Sequence, residues 1–461
     1  MAKVRYTYHD PYLSMWQSAA AEMGRRHASI KQRMGTASAL VSVQPLPDMM
    51  QAVDRIGDPA EVDKSIQPEN AFKEHVSVSS ALRAETKSSV ATLGAIGRSI
   101  VGDCAELAAK FLWAEIKGDE AQSAIYSAQL KSAVCDPRWA ECLTLYLEFK
   151  AAGGNVPYRA NMDVVIELGS KTKIAIIGDW GTGQDVAINL LQQVKACSPD
   201  VVIHLGDVYY SGTQDEMEHN FFDICQTVLG LSLPVYSLCG NHDMYSGGDG
   251  YYWLVDKLGQ RASYFCLQNA NWQFLAMDTG HNDHDPTTVD TNITSLEPSE
   301  AAWHTNKIQN AGNRKTVLIS HHQLFSPFSS VGSVNNTKHA WNPNLFATFK
   351  SLLPQVTCWF WGHEHTLAIY DPYMGLQRGR CVGCSAVPVL MAEQSYEGAD
   401  DLATCNNLPL PTWKAEAIAK NNGTDYNHAF AIMTLNGANA TVDYYDVPIL
   451  QAASKIDSEQ F

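Results

Sequence analysis

The sequence predicts an α/β layered domain entered through an all-α region, and three observations lead there. From about residue 162, short apolar runs alternate with helical segments, the pattern of a sheet covered by helices. Before that point apolar residues recur at three- and four-residue steps, as they do on helix faces. Most of the predicted strands then end on a Gly or Met followed by Asp or His, or by Asn and His, so polar chemistry gathers at one sheet edge.

Residues 1–160 read as a helical domain. Residues 12–33 are rich in Ala, Met and Arg, with Gly35 after them, and residues 84–117 carry Val90, Leu93, Ile96, Ile100, Leu107 and Leu112 as one core-facing stripe. Asp119 is an N-cap candidate, and Gly153-Gly154 is a stop signal. Pro45, Pro47, Pro59 and Pro68 mark connections. The basic cluster Arg25, Arg26, Lys31 and Arg33 reads as a solvated helix face. Nothing in these residues assigns the helical domain a role; a homo-oligomer contact or a protein partner is the expectation for it.

The second domain spans residues 161–450. Its strands are expected over 163–168, 173–177, 201–205, 235–239, 272–277, 316–319 and 358–361. The 173–177 run is almost continuously apolar, as in a strand buried on both faces. Helices are expected over 185–196, 221–229 and around 299–309. Asn436-Gly437 between 428–435 and 441–447 is a hairpin signal. Residues 281–298 and 325–345 read as long polar loops on the same side as the strand ends, and residues 451–461 as a C-terminal tail.

Composition narrows the function classes. Hydrophobic residues make up 45% of the 461 residues and charged ones 18%, values of an ordinary globular protein. A net charge of −16 argues against a broad nucleic-acid footprint, which needs clustered Lys and Arg. It leaves room for a phosphate substrate, since bound cations would dominate the local field. The N-terminus has no apolar signal segment and no run of eighteen apolar residues occurs, so neither secretion nor a membrane is expected. Eleven scattered cysteines favour reduced thiols and a cytoplasmic location. Cys381 and Cys384 are the one close pair, with no second Cys or His pair beside them to make a zinc site.

Six short words then carry the chemistry. They are Gly178-Asp179-Trp180-Gly181, Gly206-Asp207-Val208-Tyr209-Tyr210, Gly240-Asn241-His242-Asp243, Met277-Asp278-Thr279, Ser320-His321-His322 and Gly362-His363-Glu364-His365. A phosphate ester is anionic and repels hydroxide, so its hydrolysis rests on cations that neutralise charge and generate hydroxide at neutral pH. Two ions about 3.5–4 Å apart do both, and they need a bridging carboxylate with oxygen and nitrogen donors on each side. Asp179, Asp207, Asn241, His321, His363 and His365 supply that mixture, each at or near a strand end where a rigid sheet can fix it. The glycines of 178–183 also suggest a nucleotide loop, but the P-loop Lys-Ser/Thr is absent and the dinucleotide spacing is wrong.

Together these words resemble calcineurin-like metallophosphoesterases, and within them the purple acid phosphatases of the small tartrate-resistant type, over about residues 170–390. Two features select that branch. Asp179-Trp180-Gly181 stands where most of the superfamily has a histidine two residues after the aspartate, and Tyr210 stands three residues after Asp207, where purple acid phosphatases have an iron-binding tyrosine. The resemblance implies a four-layer α/β/β/α sandwich. It implies Asp179, Tyr210 and His365 on a first metal, iron; Asp207 as the bridge; and Asn241, His321 and His363 on a second, Fe, Zn or Mn. The family word around the histidine is His-x-Pro, and Gln323 replaces the proline here, so His321 is placed by the Leu318-Ile319-Ser320 run before it. His322 stands as the alternative, or as a group supporting a ligand. His242, implied to contact phosphate or protonate the leaving group, and Asp207 are the catalytic candidates. Asp278 matches an Asp-Thr pair of the family, supporting the site or capping a strand end. His281, His284 and His339 in the long loops are ordinary surface histidines or substrate contacts.

The reaction implied is hydrolysis of a phosphate monoester of a small molecule by a metal-held hydroxide attacking phosphorus in line. A phosphodiesterase for cyclic nucleotides or other diesters, built on the same ligands, is the alternative. A third reading is an interaction protein whose helical domain carries the main role. The long helical N-terminus and the missing secretion signal depart from the family, and a reducing cytoplasm would favour ferrous or manganese occupancy.

Overall fold

The structure is a computed structural model that describes Phe149 and residues 153–285, 292–328, 330–334, 337–387, 389, 415–417 and 426–461. The expected helical domain and its partner or oligomer role lie outside these, apart from Phe149 and residues 153–160. In chain order the first strands are β1 (Val165–Glu167), β2 (Lys173–Ile177), β3 (Val201–His204), β4 (Val235–Ser237), β5 (Phe265–Gln268), β6 (Trp272–Ala276) and β7 (Lys315–Ser320). There follow β8 (Gly332–Val334), β9 (Thr337–His339), β10 (Val356–Trp361), β11 (Leu367–Tyr370), β12 (Gly379–Val382), β13 (Ala415–Ala417), β14 (His428–Asn436), β15 (Asn439–Val447) and β16 (Ser454–Gln460). Helices α1 (Asp185–Ala196), α2 (Gln214–Glu216), α3 (Asp223–Leu229), α4 (Asp249–Lys257), α5 (Pro298–Gln309) and α6 (Pro343–Phe349) fill the connections, with a π-helical turn at Met217–Phe222 joining α2 to α3.

Two mixed sheets result, ordered β1-β5-β6-β7-β10-β12-β11-β13 and β16-β15-β14-β2-β3-β4, with β8 and β9 a separate hairpin. The two-residue period of a strand explains how they stack. Ile174 and Ile176 of β2, with Val201 and Ile203 of β3, meet Val317 and Ile319 of β7 and Cys358 and Phe360 of β10 in a core between the sheets. The alternate residues Ala175, Ile177 and Val202 face outward onto α1, α3 and α4. Leu318, Trp359 and Trp361 face outward from the other sheet onto α5 and α6. α1 shows why such a helix forms: Val186, Ala187, Leu190, Leu191 and Val194 make one buried stripe, and Asp185 and Lys195 complement the dipole at its two ends.

The residues after 450 are not a free tail. β16 pairs antiparallel with β15 and closes the sheet, so this boundary of the sequence reading is corrected. Its polar, largely exposed side chains give no apolar alternation, which is why pattern alone passes over it. Glu459 holds it down, accepting from Arg380 Nε at 2.7 Å and from Tyr444 Oη at 2.5 Å, so β16 is tied to both sheets. The second long loop likewise contains structure, the β8–β9 hairpin, while the predicted hairpin turn at 436–437 pairs Asn436 with Asn439.

Candidate metal centre

β2, β3 and β4 run parallel in one sheet, and β6, β7 and β10 run parallel in the other. Their carboxyl ends carry Asp179, Asp207, Asn241, Asp278, His321 and His363 in turn. Close approach of these ends depends on small residues. A Cβ on Gly240 would lie 2.1 Å from Asp207 Oδ1, and one on Gly206, whose φ is +108°, would lie 2.8 Å from His321 Nδ1. Asp179, Asp207 and His363 are themselves left-handed, at φ +54°, +74° and +66°. Non-glycine residues pay about 1–2 kcal/mol for that region, and such outliers gather at functional sites.

The converging atoms form two sets that share Asp207. On one side Asn241 Oδ1 lies 3.0 Å from His321 Nε2 and 3.1 Å from His363 Nδ1, which are 3.2 Å apart. Asp207 Oδ2 lies 3.4 Å from that His321 Nε2. His321 Nδ1 donates to the Leu205 carbonyl at 3.0 Å, which leaves a lone pair on Nε2. Asn241 Nδ2 donates to Tyr245 Oη at 2.6 Å, so its carbonyl oxygen is the atom turned inward. Lone pairs thus face lone pairs, an arrangement that makes physical sense around a cation.

On the other side the phenol is Tyr209, and this corrects the expectation for Tyr210. Tyr209 Oη lies 3.1 Å from Asp179 Oδ1, 3.2 Å from His365 Nε2 and 3.3 Å from Asp207 Oδ2. The reason is local backbone. Val208 bridges to Gly181 and is buried in the core against the helices, while the left-handed turn at Asp207 and the turn at Tyr209 bring both of their side chains into the donor set. Tyr210 contributes backbone: its N–H donates to Glu216 Oε1 at 2.5 Å, and its carbonyl accepts from His242 Nδ1. Nothing in the sequence pattern separates Tyr209 from Tyr210, because the left-handed turn at Asp207 breaks strand alternation there.

Charge at the centre is unbalanced without a counter-ion. Asp179, Asp207 and Asp243 are fully buried, and among the described residues no Arg or Lys lies within ion-pair distance of them. Burial, then Asp179 and Asp243, pushes the Asp207 carboxyl well above the usual carboxylate range. Burial also holds His321 and His363 well below the usual imidazole range. A buried set of carboxylates and neutral imidazoles with inward lone pairs fits a pair of metal cations, and two His/Asp groups, Asp179-Asp207-His321 and His321-His322-His363, have the spacing to hold one.

The surrounding groups hold these donors in place. Asp243, which the sequence reading leaves without a role, accepts from Asp207 N at 3.0 Å, Gly240 N at 2.7 Å and Val208 N at 2.8 Å, locking two of the turns together. His242 donates its backbone N–H to Asp207 Oδ1 at 3.0 Å, with its ring 4.5 Å from Tyr209 and 4.7 Å from Tyr245. Burial lowers the His242 imidazole to about 3. His322, one of the His321-His322-His363 group, has a hydrogen bond at each ring nitrogen, to Thr279 Oγ1 at 2.9 Å and Asp283 Oδ2 at 2.9 Å. Asp278 caps its strand end, accepting from His281 N at 2.9 Å.

The loop histidines stand apart from the cluster. His281 rests against the Tyr158 ring, His284 contacts the His281 carbonyl, and His339 lies near Trp341. Cys381 and Cys384 are buried and free, and the Cys381 thiol faces the carbonyls of Glu364 and Thr366, on the segment that carries His363 and His365.

Residues 172–367 match the family described as calcineurin-like phosphoesterase. No curated protein matches the sequence significantly. Among solved structures, the chain is 14% identical to a purple acid phosphatase from yellow lupin (Lupinus luteus) seeds, with a TM-score of 0.41 over 64% of this chain. The chain spans 54% of the lupin protein's length. It is 13% identical to a dimetal phosphatase from Danio rerio, with a TM-score of 0.39 over 62% of this chain and 98% of that one. It is 14% identical to GAP50, the anchor in the inner membrane complex of Plasmodium, with a TM-score of 0.37 over 63% of this chain and 89% of that one.

Proposed function

We propose that this chain, which carries a calcineurin-like phosphoesterase domain, hydrolyses phosphate monoesters of small molecules at a pair of metal ions, in the manner of a purple acid phosphatase. The observation that carries the reading is the position of Asp207 Oδ2, 3.3 Å from Tyr209 Oη and 3.4 Å from His321 Nε2, between two otherwise separate donor sets. Asp179, Tyr209 and His365 would hold one ion, and the hard phenol oxygen suits iron there. Asn241, His321 and His363 would hold the other, as Fe, Zn or Mn. When bound, such a pair supplies charge neutralisation for the ester and lowers the pKa of water.

The chain's own residues do the rest. Asp243 and the His242 backbone fix Asp207, and His242, whose Nδ1–H is committed to the Tyr210 carbonyl, would meet phosphate or the leaving oxygen through Nε2 only when that nitrogen is protonated as well. The preference for monoesters over diesters rests on the likeness of the motif set to purple acid phosphatases. A reducing compartment is the proposed location, supported by seven free cysteines among the described residues.

The test is turnover of p-nitrophenyl phosphate and of bis(p-nitrophenyl) phosphate by the purified full chain, before and after metal removal and reloading. Monoester turnover that returns with metal supports the proposal. Turnover of the diester alone would move the reading to a phosphodiesterase, and a fully loaded protein inert toward both would sink it.

A further inference from the structure

We propose that His322 is a positioning residue for the second metal, acting through its ring on His363; this rests on the reading of Asn241, His321 and His363 as one donor set. A ligating histidine is ordinarily oriented by a hydrogen bond at its other ring nitrogen. His321 follows that rule through Nδ1 and the Leu205 carbonyl. His363 does not. Its Nδ1 points into the donor set, and among the described residues its Nε2 has no hydrogen-bond partner.

What touches His363 instead is the face of His322, with ring centroids 4.5 Å apart and planes inclined by 39°. His322 is built to be rigid. Its N–H donates to Thr279 Oγ1 at 3.1 Å, its Nδ1 meets the same hydroxyl at 2.9 Å, and its Nε2 meets Asp283 Oδ2 at 2.9 Å. Asp283 is fixed in turn by Asn292 Nδ2 at 2.8 Å and by its own N–H to the Gly280 carbonyl. His322 and Asp283 are 5% and 3% exposed, so water does not compete for either. A ring immobilised at both nitrogens is a fixed wall, and it stands where His363 lacks a hydrogen bond. The backbone N–H of His363, bonded to Asp179 Oδ2 at 2.9 Å, sets the main chain and leaves the ring to be aimed by this wall.

The experiment is calorimetric titration of the metal-free full chain with Mn²⁺, comparing wild type, His322→Ala, His363→Ala and the double variant His322→Phe with Asp283→Asn. The double variant keeps a ring face without leaving a buried charge unpaired. The expected result is that His322→Ala weakens one Mn²⁺ equivalent by about 10–100-fold and leaves the other unchanged. The double variant should bind both equivalents close to wild type, since the ring face and not the basicity is what matters. With p-nitrophenyl phosphate at saturating Mn²⁺, His322→Ala should recover kcat. Both equivalents retained in His322→Ala while His363→Ala loses one would overturn the positioning role and leave the donor set standing. Both retained in His363→Ala would overturn the donor set itself. Loss of both equivalents in His322→Ala, or a double variant as weak as His322→Ala, would likewise refute an effect carried by the ring on one ion.

Discussion

The two halves of the candidate metal centre offer different mixtures of donor around one shared carboxylate. The half at Asp179, Tyr209 and His365 offers a carboxylate, a phenol and one imidazole. The half at Asn241, His321 and His363 offers an amide carbonyl and two imidazoles, all uncharged. A phenol and a carboxylate are hard oxygen donors that favour a small, highly charged cation, whereas imidazoles suit Zn, Mn or Fe in the divalent state. Both halves have direct contacts among their own polar atoms, and the second is also held by hydrogen bonds reaching outward from His321 to Leu205 and from Asn241 to Tyr245. The lesson is that one site can ask for two different ions, and the difference is written in which neighbours each half depends on.

That contrast can be broken or sharpened by experiment. The largest effect should come from Asp207→Asn, which removes the one carboxylate both halves share: turnover of an aryl phosphate should fall by roughly 10²–10³-fold or more, the scale of losing a central electrostatic stabiliser. Activity near wild type would mean the halves do not work together. Next, His365→Ala and His363→Ala should each lower bound metal from about two ions to about one, as a two-ion site requires, and elemental analysis should show different metals lost. The same metal lost from both would erase the distinction between the halves.

A smaller, spectroscopic effect separates the two adjacent tyrosines. In iron-loaded protein, a visible charge-transfer band should vanish in Tyr209→Phe and persist in Tyr210→Phe, and absorption spectra of the two variants decide it. The reverse would restore the tyrosine expected from spacing alone.

The smallest effect is on stability and uses a histidine outside the centre as the control. His204 is fully buried in β3 with Nδ1 2.9 Å from Ser237 Oγ, and burial lowers its imidazole to about 3. A depressed histidine contributes stability that is present above the unfolded value near 6.5 and is lost as pH falls toward about 3, because the unfolded chain binds the proton first. Urea unfolding of the metal-free protein should therefore show a loss on the order of 2–3 kcal/mol from this group between about pH 7 and 4.5. His204→Asn should flatten that part of the slope; an unchanged slope would mean the group does not stay neutral in the fold.

Much of this site is legible in the sequence because each ligand follows an apolar run that can be recognised as a strand. Lys173–Ile177, for example, is continuous enough to fix where Asp179 falls. What the sequence hides is whatever depends on local geometry after the strand ends. Tyr209 and Tyr210 are chemically identical, and only the local backbone, left-handed at Asp207 and bridged at Val208, tells them apart. Asp243 is invisible for a similar reason, since its partners are backbone N–H groups that carry no residue code. The partners of His322, Thr279 and Asp283, come from a loop some forty positions away in the chain, which the sequence around His321 and His322 does not show. β16 is missed because Glu459 anchors it through Arg380, Arg378 and Tyr444, while Ile456 and Phe461 add apolar packing too sparse to make an alternating pattern.

The left-handed backbone at Asp179, Asp207 and His363 bears on how this protein would respond to selection for heat resistance. Glycine at any of these three positions relieves a conformational cost, and asparagine tolerates the same region better than most residues. Removing a buried, unbalanced carboxylate at 179 or 207 should relieve the metal-free fold further. A library screened only for melting temperature in chelator should therefore be drawn toward losses at the ligand positions, yielding hardier proteins that no longer bind metal. Screening with metal present should reverse the preference, because the bound ions then contribute to the stability being selected.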